Sequence, residues 1–192
     1  MSFESAAAPA NSRSDARSNH ARILAAATRV LGRDGHSSTL SSIAEEAGVG
    51  IGTLYRHFPN RGRLVEAVYR SRVQDLCDAA DDALADEPSA RVALRTWMGR
   101  FAAMLVDNRD VPEALKPALA TGSEFREETG GLLIAAVQSL LDAGRVRREF
   151  RVDVAPVDIL RTVTGLAYVS QHLDDVEKPL DVFLDGLRPI TP

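Results

Sequence analysis

The chain has 192 residues, 45% of them apolar, and a formal net charge of −4. That length admits one or two domains, and the apolar share is ordinary for a soluble globular protein. No apolar run approaches the roughly 20 residues that span a bilayer, so a membrane-spanning protein and a membrane partner are not expected.

The opening MSFESAAAPANSRSD has no apolar stretch behind a basic one, so no export signal is read and a cytoplasmic location is expected. Residues 1–16, rich in Ala, Ser, Asn and Pro, read as a disordered arm. From Asn19 a helical pattern begins, with Ile23, Ala27, Val30 and Leu31 on one face and Gly35 as its stop. Thr39 can cap a short second helix that turns Ile43, Ala44 and Ala47 inward. Gly48-Val49-Gly50 reads as a tight turn with Gly48 left-handed. A third helix follows from Ile51 to Phe58, burying Leu54 and Phe58 and stopped by Pro59. Asn60 can cap a long fourth helix through Leu64, Val68, Leu76 and Ala80. Cys77, the lone cysteine, falls in that helical pattern and reads as a packed thiol.

Further on, Ser89 caps a helix with the stripe Leu94, Trp97, Met98, Phe101 and Leu105. Val111 to Ala120 reads as a shorter helix. Leu133, Val137, Leu140 and Leu141 mark the next, closed by Gly144. Pro156 opens another that carries Leu160, Val163, Thr164, Ala167 and Tyr168. Leu180 to Leu187 is the last. Phe150–Val154 alternates like a strand but has no partner, so the fold class is all-α. The expected division is an arm over 1–16, a three-helix domain over 17–63 and a helical domain over 64–192.

Short helices separated by a glycine turn make a helix-turn-helix, whose second helix enters the major groove of double-stranded DNA. Charge agrees. Residues 1–63 hold eight arginines against five acids, a net of +3, which leaves −7 for the rest. The run from Thr39 to Phe58, TLSSIAEEAGVGIGTLYRHF, resembles the signature of the TetR (tetracycline-repressor-like) family of regulators, an IA-x-x-AGV followed by a turn and GTLY-x-HF. The likeness covers residues 19 to about 68. It implies an operator-binding homodimer, with a small-molecule effector taken by the helical remainder. It implies phosphate or sugar contacts from Ser41, Ser42, Thr53, Tyr55, His57 and Arg61, with Tyr55 also near bases, and base reading by Ile51, Gly52, Thr53 and Arg56. Arginine can take guanine bidentately, and isoleucine can meet a thymine methyl. Gly50 departs from the family's usual polar cap. Each role has a plainer alternative: Tyr55 packed on the fourth helix, His57, Arg56 and Ser41 as solvated surface.

Candidate effector residues are Trp97, Met98, Phe101, Met104, Phe125, Leu133, Tyr168 and His172. Trp97, Tyr168 and His172 would each bring a polar group into an apolar setting, although such a stripe is commonly plain core. The last two long helices carry more apolar residues than one buried face needs, namely Leu133, Val137, Leu141, Val157, Leu160, Val163 and Ala167. They are expected to build a four-helix dimer interface. The competing readings are a DNA-binding protein that senses no small molecule, and an all-α enzyme. No phosphate loop, HExxH or GxSxG motif supports the latter, and His20, His36, His57 and His172 lack metal-site spacing, so neither cofactor nor metal is expected.

Overall fold

A computed structural model of the chain describes residues 10–107 and 123–189. Among them are eight α-helices and no strand. They are α1 (Ala10–Asp34), α2 (Leu40–Glu46), α3 (Ile51–His57), α4 (Arg61–Asp86), α5 (Ala90–Asp107), α6 (Glu124–Val146), α7 (Pro156–Val169) and α8 (Asp174–Asp185). The expected helix over Val111–Ala120 lies outside the described residues, as do residues 1–9 of the arm.

The chain divides into two compact units, residues 1–68 and 69–192, and the division falls within α4. In the first, α1 packs on α2, and α2 on α3. α1 starts at Ala10, so residues 10–16 are helical where an arm was expected. The apolar stripe begins only at Ile23. The turns before it show no pattern because residues 15–18 are exposed and bury no face. Thr39 caps α2 as expected: its Oγ1 accepts from the Ser42 amide at 3.0 Å, and Ser42 Oγ accepts in return from the Thr39 amide at 3.1 Å. Such a cap contributes about 1 kcal/mol. Asn60 Oδ1 likewise accepts from the Arg63 amide at 3.0 Å at the start of α4.

In the second unit α5 is the central element, packed against α6, α7 and α8. Its stripe of Ala90, Ala93, Leu94, Trp97, Met98 and Phe101 is buried. Leu140, Leu141, Ile159, Val163, Val176 and Leu180 meet it in one core cluster. Glu149 Oε2 accepts from both the Ser89 hydroxyl and the Arg91 amide, at 2.7 and 2.8 Å, so it shares the capping of α5 with Ser89. Arg91 pairs with Asp185, and Arg95 with Glu177 and Asp181, along one side of α8.

One local expectation changes. Gly144 does not close α6, which runs on to Val146. A Cβ at Gly144 would lie 2.0 Å from the Phe150 ring, so glycine is there to let the ring in. The left-handed residue after the helix is Arg148, at φ 57°. Phe150–Val154 is not a strand: the Arg151 amide donates to the Leu187 carbonyl at 2.9 Å, and Arg145 Nη2 donates to the Val154 carbonyl at 2.7 Å.

Candidate nucleic-acid interface

The two short helices of the first unit hold each other by small and apolar contacts. Ile43, Ala44, Ala47, Leu54 and Phe58 are all buried. Gly48 turns the chain at φ +61°, a region L side chains rarely enter. Gly50 then starts α3 without a side-chain cap, and its carbonyl accepts from the Thr53 and Leu54 amides at 2.8 and 3.2 Å.

Because Leu54 and Phe58 face inward, the opposite side of α3 faces water. Ile51 is 42% and Tyr55 49% exposed, and Gly52 and Arg56 are exposed beside them. Thr53 and His57 are half-buried at its margins. Arg56 Nε donates to the Gly52 carbonyl at 3.3 Å, which leaves the rest of its guanidinium free of internal bonds among the described residues. Ser41 is exposed at the start of α2, whereas the Ser42 hydroxyl is engaged in the cap. The helix-turn-helix residues thus converge on one solvent-facing surface, in a basic region of the chain.

Arg61 is placed differently. Its guanidinium points into the unit. It donates to the carbonyls of Ser38 and Gly35 and, at 2.8 Å, to Ser38 Oγ. It ties the start of α4 to the loop before α2. Sequence reasoning missed its counterpart, Arg22. From α1, Arg22 Nη2 donates to the carbonyls of Ala47 and Gly48, at 2.7 and 3.0 Å. A cation at the C-terminal end of α2 is also favoured by the helix dipole. No spacing rule signals this contact, because 25 residues separate Arg22 from Ala47. His20, also from α1, stacks on Phe58 with centroids 4.9 Å apart and meets the His57 ring at 5.7 Å. Burial, and then the neighbouring His57, push the His20 imidazole below its ordinary value.

The candidate effector residues do not form one group. Trp97, Met98, Phe101, Met104 and Leu133 share the core cluster of the second unit. The Trp97 indole N–H already donates to the Leu76 carbonyl, at 2.9 Å. Phe125 packs instead on Tyr69, at 5.8 Å, beneath the Arg70 guanidinium. Tyr168 is 86% exposed and His172 is also at the surface. Ile159, Val163 and Ala167 take the inward face of α7, and Tyr168, one residue on, is turned away from it. Neither brings a polar handle into an apolar interior. The Cys77 thiol is half-buried, and burial together with Asp78 and Asp81 holds it well in its protonated form, in keeping with a packed thiol.

An exposed recognition helix held by buried small residues defines a DNA-binding transcriptional regulator. Residues 23–68 match the model of the bacterial regulatory proteins of the tetR family. The crystal structure of a TetR transcriptional regulator from Streptomyces coelicolor is similar over 90% of this chain and 99% of its own, at 39% identity and a TM-score of 0.76. The chain belongs to the TetR family of transcriptional regulators, which are not enzymes. An HTH-type transcriptional regulator of Staphylococcus aureus is 38% identical over 76 residues, 38% of this chain and 40% of that protein, so the match spans less than half of its length. The regulator FadR of Bacillus subtilis, solved in complex with stearoyl-CoA, shares the fold over 88% of this chain and all of its own, at 17% identity and a TM-score of 0.61. Among the described residues no helix is long and apolar enough to cross a membrane.

Proposed function

We propose that the protein is a repressor that binds a near-palindromic operator as a homodimer and is released by a small-molecule effector. The observation that carries the DNA reading is the exposed face of α3, where Ile51, Gly52, Tyr55 and Arg56 stand clear of a buried Leu54. On this reading Arg56 and Ile51 read bases. Ser41, Thr53, Tyr55 and His57 position the helix on sugar and phosphate, whereas the Ser42 hydroxyl is spent on the Thr39 carbonyl in the cap. Arg61 serves the interface by holding the loop before α2. Two-fold symmetry sets the half-sites about one helical turn apart, some 34–36 Å, or a multiple of that.

The test compares binding across single-base variants of a site selected from random duplexes. Arg56→Ala should cost about 1–3 kcal/mol at one base position and relax it, with the other positions unchanged. Uniform weakening at every variant would move Arg56 to the phosphate backbone and leave base reading to Tyr55, Thr53 and DNA shape.

Dimerisation through α6 and α7 draws support from a face other than the one first expected. Leu133, Val137, Leu141, Val163 and Ala167 serve the chain's own core, and Val157 and Leu160 are half-buried. Ile134 at 45%, Val169 at 72% and Tyr168 at 86% exposure are among the apolar side chains left outward on the same helices. A second copy would cover them isologously. Tyr168→Glu should shift the mass in solution from dimer toward monomer, and a monomeric wild type at micromolar concentration would exclude the dimer.

Effector release would act by linkage: the effector lowers DNA affinity only by its preference for one arrangement of the protein, commonly about 1–3 kcal/mol. That the same fold houses stearoyl-CoA in the Bacillus subtilis protein supports a ligand in residues 69–192. The closely packed Trp97, Met98 and Phe101, each 3% exposed or less, favour the second reading, a regulator of this fold that answers to no small molecule. Loss of operator binding on addition of a molecule that co-purifies with the protein would decide for the first.

A further inference from the structure

Within residues 69–192, α4 and α5 enclose an open groove of about 370 Å³, within the range of small-molecule sites. Its floor is alkyl: Leu76, Ala79 and Met104 line it with little of their surface exposed. Its rim carries Arg72 and Asp75 from α4 and Arg100 from α5. The other arginines of this unit on the two helices are all ion-paired: Arg70 with Glu128, Arg91 with Asp185, Arg95 with Glu177 and Asp181. Arg72 and Arg100 hold no such partner among the described residues. Of the five arginines that α4 and α5 carry in this unit, the two without an ion pair among the described residues are therefore the two at the groove, above an apolar floor.

We propose that this groove binds an alkyl chain ended by a carboxylate, with the carboxylate between Arg72 and Arg100 and the chain along Leu76, Ala79 and Met104. Guanidinium matches carboxylate geometry with two parallel hydrogen bonds, and the head stays at the water-facing rim while the chain leaves water. Asp75, one turn from Arg72, limits the excess positive charge and so favours a single anionic head over a polyanion. The inference deepens the effector reading above and rests on it for its regulatory meaning.

The site has a built-in reporter. Trp97 is the one tryptophan of the chain, and its N–H donates to the carbonyl of Leu76, whose side chain lines the groove. Titrating the full-length protein with decanoate, below its aggregation concentration, should change Trp97 fluorescence saturably. Decanol should bind about tenfold more weakly, because it cannot use the arginines. Arg72→Gln and Arg100→Gln should each weaken decanoate about three- to fivefold, leave decanol unchanged and preserve the melting temperature. Asp75→Asn should strengthen decanoate. Equal binding of decanoate and decanol, or decanoate affinity indifferent to both arginines, would overturn the proposal. The same titration in the presence of a selected DNA duplex separates it from the effector reading. Arginine-dependent decanoate binding with DNA affinity unchanged upholds the groove and overturns effector release by this ligand. Release of DNA by another compound with no decanoate binding overturns the groove alone.

Discussion

Arg22 Nη2 lies 3.0 Å from the Gly48 carbonyl and 2.7 Å from that of Ala47, so one guanidinium from α1 fixes the turn that aims the recognition helix. The contact and the turn depend on each other. A Cβ at Gly48 would stand 2.8 Å from that same nitrogen, and φ +61° already disfavours a side chain.

Gly48→Ala should therefore destabilise the first unit by about 1–3 kcal/mol, from the left-handed backbone and the displaced arginine together. Arg22→Ala should cost about 1–2 kcal/mol, with Arg22→Lys recovering part of it through one charged donor at the end of α2. The double variant should cost less than the sum, because the clash disappears with the arginine. Chemical unfolding of the four proteins measures the cycle. Strict additivity would show that the two sites are independent.

Arg61 offers a test of position against contact. Its donors are turned to Gly35 and Ser38. Arg61→Ala should lower the stability of the first unit and weaken DNA binding at all sites alike, while the salt dependence of binding stays near that of the wild type. A fall of about one unit in the salt slope per subunit would instead show a phosphate contact.

His20 should make the first unit acid-sensitive. Its folded imidazole titrates below the ordinary value, by partial desolvation first and by His57 second, although the residue as a whole is exposed. The unfolded chain thus binds a proton that the folded chain resists. The stability linked to His20 is complete above about pH 6.5 and is lost as pH falls through the lowered folded value. His20→Phe should keep the ring contact and flatten this dependence between about pH 7 and 5. An unchanged pH profile in that variant would assign the acid sensitivity to other groups.

Gly144 and Phe150 supply the corresponding test in the second unit. A methyl at Gly144 would meet the ring at 2.0 to 2.9 Å, and Phe150 is buried, 3% exposed, in the core cluster. Gly144→Ala should destabilise by about 1–3 kcal/mol despite the better helix propensity of alanine. Pairing it with Phe150→Leu should recover part of the loss. A neutral or stabilising Gly144→Ala would mean that the connection after α6 is free to move aside.

The amino-acid sequence by itself determined the helical class, the caps at Thr39 and Asn60, the left-handed Gly48, and the solvent face of α3. Each of these rests on residues at most four apart, where periodicity and turn chemistry are direct consequences of backbone geometry. The start of α1 escaped it, because exposed turns with no buried face leave no pattern. Only the tertiary structure decided which donors are spent and which are free. Arg22 and Arg61 reach across 23 to 26 residues to satisfy backbone carbonyls, while Arg72 and Arg100 are left facing a groove. The same holds for the aromatic stripe. Its spacing showed that Trp97, Met98 and Phe101 share a face, but whether a face meets a ligand or a neighbouring helix depends on how α4 and α6 to α8 pack around α5. It also took packing to turn Tyr168 outward and to make Gly144 a seat for Phe150, since those outcomes follow from volumes supplied by residues distant in the chain.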